Sequence, residues 1–326
     1  MILAGDIGAT NSRVAFFSKR GGQLHPVVEA TYPSRDHANL ETIIKKFVAT
    51  HDLPIDVACF GVAGPVRHGR SDTTNLPWDV DARELARALR LGTVGLVNDL
   101  EAHAYGIAML TPEDVVTLNQ GAPDASGNAA VIAAGTGLGE AGLYWDGQQH
   151  HPVAGEGGHS SFAPIDPLQV ELLTFLRQEF GHVSWERVVS GPGLHNIYRF
   201  LRNTGRGEEP DWLRCEMQRS DPAAVISQAA LAGTSPLCQQ ALDLFVALYG
   251  GEAGNLALKL MATGGVYVGG GIAPKILQKL SDSTFMAAFV AKGRLEPLLW
   301  QIPVRIIMND KVALLGAARV AATGAS

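Results

Sequence analysis

The chain carries one short pattern twice: an apolar strand that runs into a small-residue turn and then into a second β-prone strand. The first copy is Ile2 to Asp6, the turn Ile7-Gly8-Ala9-Thr10-Asn11, and Arg13 to Phe17, with Gly21-Gly22 supplying the next turn. The second is Val131 to Ala134, the turn Gly135-Thr136-Gly137-Leu138-Gly139, and Ala141 to Trp145. Recurrence of this kind reads as a duplicated fold with one hairpin in each half. Between the copies, helix-period residues at Leu40 to Ala49, an apolar run at Val57 to Val62 and a helical segment at Val80 to Leu89 alternate in type, which implies an α/β sheet. After the second copy the chain turns more helical, at Leu168 to Glu179, Leu194 to Leu201 and Leu237 through Leu260. The boundary is expected near Met109 to Pro112.

With 326 residues, 46% of them hydrophobic and 18% charged, the chain is too long for one compact core, so two domains are expected. The formal net charge is -6 and no block of like charges stands out, which argues against nucleic acid or an anionic membrane as partner. The first residues lack a basic stretch ahead of a long apolar one, and no apolar run reaches the roughly 18 to 20 residues of a membrane span. Cys59, Cys215 and Cys238 are far apart, with neither disulfide nor zinc spacing. A cytoplasmic location is expected.

Five segments carry candidate chemistry. Asp6 ends a strand and is followed by small and hydroxyl residues whose backbone N–H groups can approach a phosphate, which suits a Mg-nucleotide; an ordinary hairpin turn would use the same residue types. Gly135 to Gly139 is a second candidate cradle. Gly137-x-Gly139-x-x-Gly142 matches the dinucleotide fingerprint formally, but Leu143 to Gly147 reads as strand and turn where that fingerprint needs a helix. No Walker lysine and no protein-kinase signature accompanies it.

Asn98-Asp99 closes the apolar run Val94 to Val97, at the strand end where open α/β sheets bind ligands. There Asp99 can serve as a base for an attacking hydroxyl, or merely cap the helix from Leu100 to Met109. Glu156-Gly157-Gly158-His159 offers an acid and an imidazole on a glycine-lined loop, suited to a small polyhydroxylated ligand or to nothing more than a surface loop. Metal ligation with His150-His151 lacks the required spacing. Glu186 lies in a short helix beginning at Ser184, where the helix dipole alone would favour an acid. Gly264 to Ala273 is a strand running into Gly269-Gly270-Gly271, with Pro274 placed to open a helix and glycine backbone able to lie against a base or ribose.

The order of these segments resembles that of bacterial glucokinases of the non-ROK type, within the hexokinase and actin-like ATPase superfamily, over about Ile2 to Arg319. The run Glu186-Arg187-Val188-Val189-Ser190-Gly191-Pro192-Gly193 and the Glu156 to His159 loop are its most specific parts. The resemblance implies a two-domain actin-like ATPase fold (ribonuclease H-like) with a smaller N-terminal α/β domain and a larger α+β domain flanking a cleft. The small domain would be 1–109, completed by a carboxy-terminal helix in 309–326, and the large one 110–308.

The resemblance further implies ATP-dependent phosphorylation of D-glucose to glucose 6-phosphate, feeding glycolysis, with glucose, ATP and Mg²⁺ as ligands and a homodimer as the assembly. Asp99 would be the general base. Asn98, Asp99, Glu156, His159 and Glu186 would hold the sugar. Gly5, Asp6, Ile7, Gly8, Ala9, Thr10 and Asn11, then Gly135, Thr136 and Gly137, then Gly269, Gly270 and Gly271 would hold the nucleotide, with Asp6 acting on Mg²⁺ indirectly. A kinase for another hexose or an N-acetylhexosamine, and a non-catalytic sugar sensor, are the alternatives. Ala9 stands where these glucokinases usually have a second glycine, and would strain the turn if that position needs a positive φ.

Overall fold

The computed structural model describes residues 1–72 and 78–324. It divides into two compact units, Met1–Thr111 with His151–Ala154 and Asn309–Ser326, and Pro112–His150 with Gly155–Met308.

The first unit opens with strands β1 (Ile2–Ile7), β2 (Asn11–Arg20) and β3 (Gln23–Pro33), each antiparallel to the one before. Helix α1 (Leu40–His51) leads to β4 (Val57–Val62), which pairs parallel to β1. A short hairpin, β5 (Arg70–Asp72) and β6 (Asp79–Asp81), precedes α2 (Ala82–Leu89), and β7 (Gly95–Asn98) then pairs parallel to β4 and feeds α3 (Asp99–Ile107). The sheet order is β3-β2-β1-β4-β7. β1 is apolar on both faces because both are covered: Leu3 and Ile7 pack with Ile43, Phe47 and Leu85, while Ile2 and Ala4 pack with Ala313, Leu314 and Ala317.

The second unit holds β8 (Val115–Asn119) and the hairpin β9 (Ala129–Ala134) and β10 (Leu138–Trp145); β11 (His150–Ala154) comes next along the chain, with His151–Ala154 counted in the first unit. Helices α4 (Pro167–Phe180), α5 (Gly191–Asn203), α6 (Asp211–Arg219), α7 (Pro222–Leu231) and the long α8 (Pro236–Leu260) follow. The chain re-enters the sheet with β12 (Gly265–Gly269), passes through α9 (Leu277–Leu280), α10 (Ser283–Val290) and α11 (Glu296–Trp300), and ends the unit with β13 (Val304–Ile307). The sheet order is β11-β10-β9-β12-β13-β8, with β9, β12 and β13 parallel and β10 antiparallel to β9.

Both sheets therefore have one plan. The first strand of a hairpin has its return strand on one side and two parallel strands on the other, β4 and β7 in the first unit, β12 and β13 in the second. The repeated pattern read from the sequence is this shared plan.

The chain returns to the first unit through α12 (Val312–Thr323), which packs on β1, β4 and α3. Two glycines let α3 and α12 touch at backbone distance. A Cβ at Gly106 would fall 2.0 Å from the Val312 carbonyl oxygen, and one at Gly316 1.7 Å from that of Ala102. Among the described residues no helix is long and apolar enough to cross a membrane.

Several elements differ from the sequence expectation. The first unit runs to Thr111 rather than 109, because Met109 and Leu110 N–H groups bond back to Gly106 and Ile107 and carry the turn along with α3. His151–Ala154 has no counterpart in the sequence division. The helix expected from Val80 starts at Ala82, since the Asp81 side chain accepts the Arg83 N–H as its cap and Asp79–Asp81 pairs with β5. Ser184 to Arg187 makes a single 3₁₀ turn, as does the segment around Pro274 before α9. Of the 309–326 segment, Ala325 and Ser326 lie outside the described residues, as do residues 73–77 of 1–109.

Candidate active site

In the first unit, Asp6 is the last but one residue of β1, with Arg13 directly opposite in β2. The turn between them is held from outside. Gly8 N–H donates to the Asn11 carbonyl at 3.0 Å, while the Ser34 hydroxyl donates to the Gly8 carbonyl at 2.7 Å and its N–H to that of Thr10 at 2.9 Å. Among the described residues only Asp52, His68, Arg90 and Met261 combine a side chain with positive φ. Ala9 is not one of them, so the strain expected from the missing glycine does not arise.

Two further carboxylates act on Asp6. Arg13 reaches Asp310, donating from Nη1 to its carbonyl at 2.6 Å and from Nη2 to its carboxylate. Loss of surrounding water raises Asp6 to about 6, and the charge of Asp99, then of Asp310, pushes the same way while Arg13 opposes them. Acids outnumber the one arginine here, so the site is short of positive charge, while among the described residues no group of three or more His, Cys, Asp or Glu side chains is placed to hold a metal ion directly.

The linkage sign is definite. A carboxyl whose folded value lies above the unfolded 3.8 contributes its stability below that value and loses it as pH rises toward 6. Asp6→Asn is expected to leave heat stability unchanged near pH 4 and raise it at pH 7.5, readable by differential scanning fluorimetry of the ligand-free protein.

Asn98 and Asp99 stand at the β7–α3 junction. The cap belongs to Asn98, whose Oδ1 accepts the Leu100 N–H at 2.9 Å and the Glu101 N–H at 3.4 Å while its Nδ2 donates to the Gly64 carbonyl at 2.9 Å. One Asn98 amide hydrogen remains for a ligand. Asp99 occupies the first helical position, where its Oδ1 accepts the Leu100 N–H at 2.9 Å. The close approach of Gly61 to α3, where a Cβ would meet Ala102 at 2.9 Å, sets the depth of this junction against β4.

In the second unit the Gly135 to Gly139 turn connects β9 and β10. Gly135 N–H donates to the Gly137 carbonyl at 2.9 Å, and Gly191 N–H donates to the Gly135 carbonyl at 2.8 Å. Glu186 reaches the same turn, its Oε2 accepting the Leu138 N–H at 3.1 Å. A side chain on Gly137 would lie 2.5 Å from that oxygen. Glu186 is therefore tied to the hairpin rather than being a solvated first-turn acid.

Glu156 and His159 are exposed, flanking a 3₁₀ turn whose Gly158 sits under β10, where a Cβ would strike the Leu138 carbonyl at 2.0 Å. At the end of β12, Gly270 has φ +83°, and a Cβ there would lie 2.2 Å from the Ala134 carbonyl. Around Gly271, by contrast, nothing among the described residues lies within 4 Å. Gly270→Ala is expected to cost about 1–3 kcal/mol of stability, and Gly271→Ala to leave the fold intact while weakening nucleotide binding, as calorimetry of both variants will show.

The structure thus gathers Asp6, Asn98 and Asp99 in the first unit, and Gly135 to Gly137, Glu186 and the Glu156 to His159 loop about β10 in the second. Gly269 to Gly271 follows β12, the neighbour of β9. Sequence reasoning missed Asp310 as the partner of Arg13, and Ser34 as the prop of the first turn. Neither carries a local signal, since each is remote in sequence from what it holds.

Two sheets of one plan, each led by a glycine-bearing hairpin, together with a carboxylate at a parallel-strand end, define a phosphotransferase of the actin-like ATPase class. The family model described as Glucokinase matches residues 3–324. The chain belongs to the glucokinase family. It is 41% identical to the glucokinase of a Nostoc species, over 99% of both chains. Among solved structures, a glucokinase from an Antarctic psychrotroph aligns with a TM-score of 0.85 and 33% identity, covering 99% of this chain and 98% of that one. A ROK family glucokinase from Streptomyces griseus, solved in complex with glucose and AMPPNP, shares the fold with a TM-score of 0.65 at 21% identity, covering 99% of both chains.

Proposed function

We propose that the chain transfers the γ-phosphoryl group of ATP to the C6 hydroxyl of D-glucose, with Asp99 as general base. Family membership across residues 3–324 supports the reaction, and one observation supports the base. Asp99 stands one residue past a parallel strand, at the first position of α3, where its charge acts on Asp6.

In this reading Asp99 accepts the hydroxyl proton as the sugar oxygen attacks the phosphorus in line. Backbone N–H groups of the two glycine turns face the charge that develops on the phosphoryl oxygens. Glu156, His159, Glu186 and the free amide hydrogen of Asn98 orient the sugar hydroxyls, so an analogue lacking one leaves a polar group unpaired. Gly269 to Gly271 receives the adenosine. Mg²⁺ would be held through water near Asp6 and would supply charge neutralisation for the nucleotide phosphates.

By the same family likeness the chain works in glycolysis, in the cytoplasm, as a homodimer with small-molecule ligands only. A coupled assay of ADP release with glucose, set against mannose, fructose and N-acetylated hexosamines, tests the reading. Glucose is expected to give the highest kcat/KM, and ADP release with none of the sugars refutes it. Light scattering tests the dimer.

A further inference from the structure

Beneath the Gly157 to His159 turn, the second unit buries two carboxyl groups against each other. Glu140 follows the hairpin glycines on β10 and is 2% exposed; Glu252, on α8, is fully buried. Both Glu252 oxygens are engaged, Oε1 accepting from Lys259 Nζ at 2.9 Å and Oε2 from Asn255 Nδ2 at 2.8 Å. The Glu252 charge acts on the Glu140 carboxyl, whose Oε1, also buried, finds no hydrogen-bond partner among the described residues.

A buried carboxyl with an unpartnered oxygen beside a second acid is favoured in its neutral form, and the surroundings say which of the two carries the proton. Burial, then the charge of Glu252, raises Glu140 to about 7, with Lys259 opposing. The other groups nearby are Tyr249 on α8, which also feels Glu140, and Lys292, which donates to the Gly251 carbonyl and to Asn255 Oδ1. Lys292 thereby braces the α8 side of the pair. The turn above contributes Glu156 and His159.

The remaining side of Glu140 meets the candidate sugar loop. A Cβ on Gly157 would lie 2.0 Å from Glu140 Oε2, and one on Gly155 3.3 Å from the Glu140 carbonyl oxygen. When Glu140 loses its proton, Glu252 stays where Lys259 and Asn255 hold it, and Glu140 is the carboxylate that must move. Gly157, without a side chain, is the side that can yield.

We propose that Glu140 is a positioning residue for the Glu156 to His159 loop, its neutral carboxyl packing against the backbone at Gly157, so that sugar affinity falls when Glu140 ionises. The inference rests on the reading of Glu156 and His159 as sugar ligands.

The test compares the wild type with Glu140→Gln and Glu252→Gln across pH 6 to 8.5, following glucose affinity by calorimetry, glucose KM and kcat, and melting temperature without ligand. The wild type is expected to lose about fivefold in glucose affinity across neutrality, with kcat changed less than about twofold, because a ground-state contact is what loosens. Glu140→Gln cannot ionise, so its glucose KM stays on the low-pH level.

Glu252→Gln removes the repulsion and is expected to move the KM rise to lower pH, which keeps the idea testable should Glu140→Gln fold poorly. Stability supplies an arm independent of sugar. An acid raised on folding contributes fully below about 4.5 and loses that contribution as pH rises toward 7. The melting temperature of the wild type should therefore fall between pH 5 and 8 relative to Glu140→Gln. Hexose binding with parallel pH profiles in wild type and Glu140→Gln overturns this inference alone. A wild type that binds no hexose overturns the functional reading together with it, even where the melting curves diverge.

Discussion

Asp99→Asn is expected to lose about a thousandfold in kcat, within the range that a general base contributes, with the glucose KM nearly unchanged. The loss should come without loss of fold. Asparagine at the first helical position leaves the Asn98 cap untouched, because Asn98 holds the Leu100 and Glu101 N–H groups itself. The charge that Asp99 presses on Asp6 disappears as well, so the melting temperature at pH 7.5 should equal or exceed that of the wild type. A dead but slightly more stable enzyme is a signature that misfolding cannot imitate. Near-normal turnover in a folded Asp99→Asn protein removes the base from the mechanism.

Gly316→Val should be the most damaging change outside the site. The introduced Cβ would occupy the place of the Ala102 carbonyl, 1.7 Å away, and that oxygen is backbone in α3 and cannot rotate aside. Overpacking of a close core typically costs 1–3 kcal/mol, and a backbone collision in a helix pair about 3 kcal/mol or more. Because α3 begins with Asp99, pushing α12 and α3 apart also displaces the base, so kcat should fall along with the urea midpoint. Gly92→Ala serves as the control: nothing among the described residues lies within 4 Å of a Cβ there, and no change in midpoint is expected. A Gly316→Val protein as stable as wild type contradicts the backbone contact between the two helices.

The parts of this fold that could be read directly are those with strong local periodicity. Apart from Asp6, the first strands of both hairpins are apolar or glycine throughout because both faces of each sheet are covered, and small-residue turns mark where they end. Helix α8 is legible for the same reason, with apolar residues at helical spacing along its length. Strands β3, β8 and β11 were not legible. They are only partly buried, so polar and apolar residues mix along them without a clean alternation. The 3₁₀ turns at Trp185 and Ala273 show the limit of the glycine and proline signals, which mark that a chain turns but not how tightly.

The candidate site divides along the same line. Asp6, Asn98-Asp99, the Glu156 to His159 loop and the glycine turns announce themselves as short constellations of acid, hydroxyl and glycine, so the family and its chemistry follow from residue order. Which of two adjacent residues caps α3 depends on side-chain direction and appears only in three dimensions. The absence of strain at Ala9 is likewise a matter of backbone torsion that residue identity does not specify.

Residue types and their spacing along the chain were enough to establish a duplicated hairpin scaffold and a phosphoryl-transfer family, because both rest on interactions between near neighbours in sequence. The pairing of Arg13 with Asp310, the support of Gly8 by Ser34, and the burial of Glu140 under the charge of Glu252 belong to the folded chain alone. Each joins residues from different elements, and electrostatics and desolvation act on the distance between them in space.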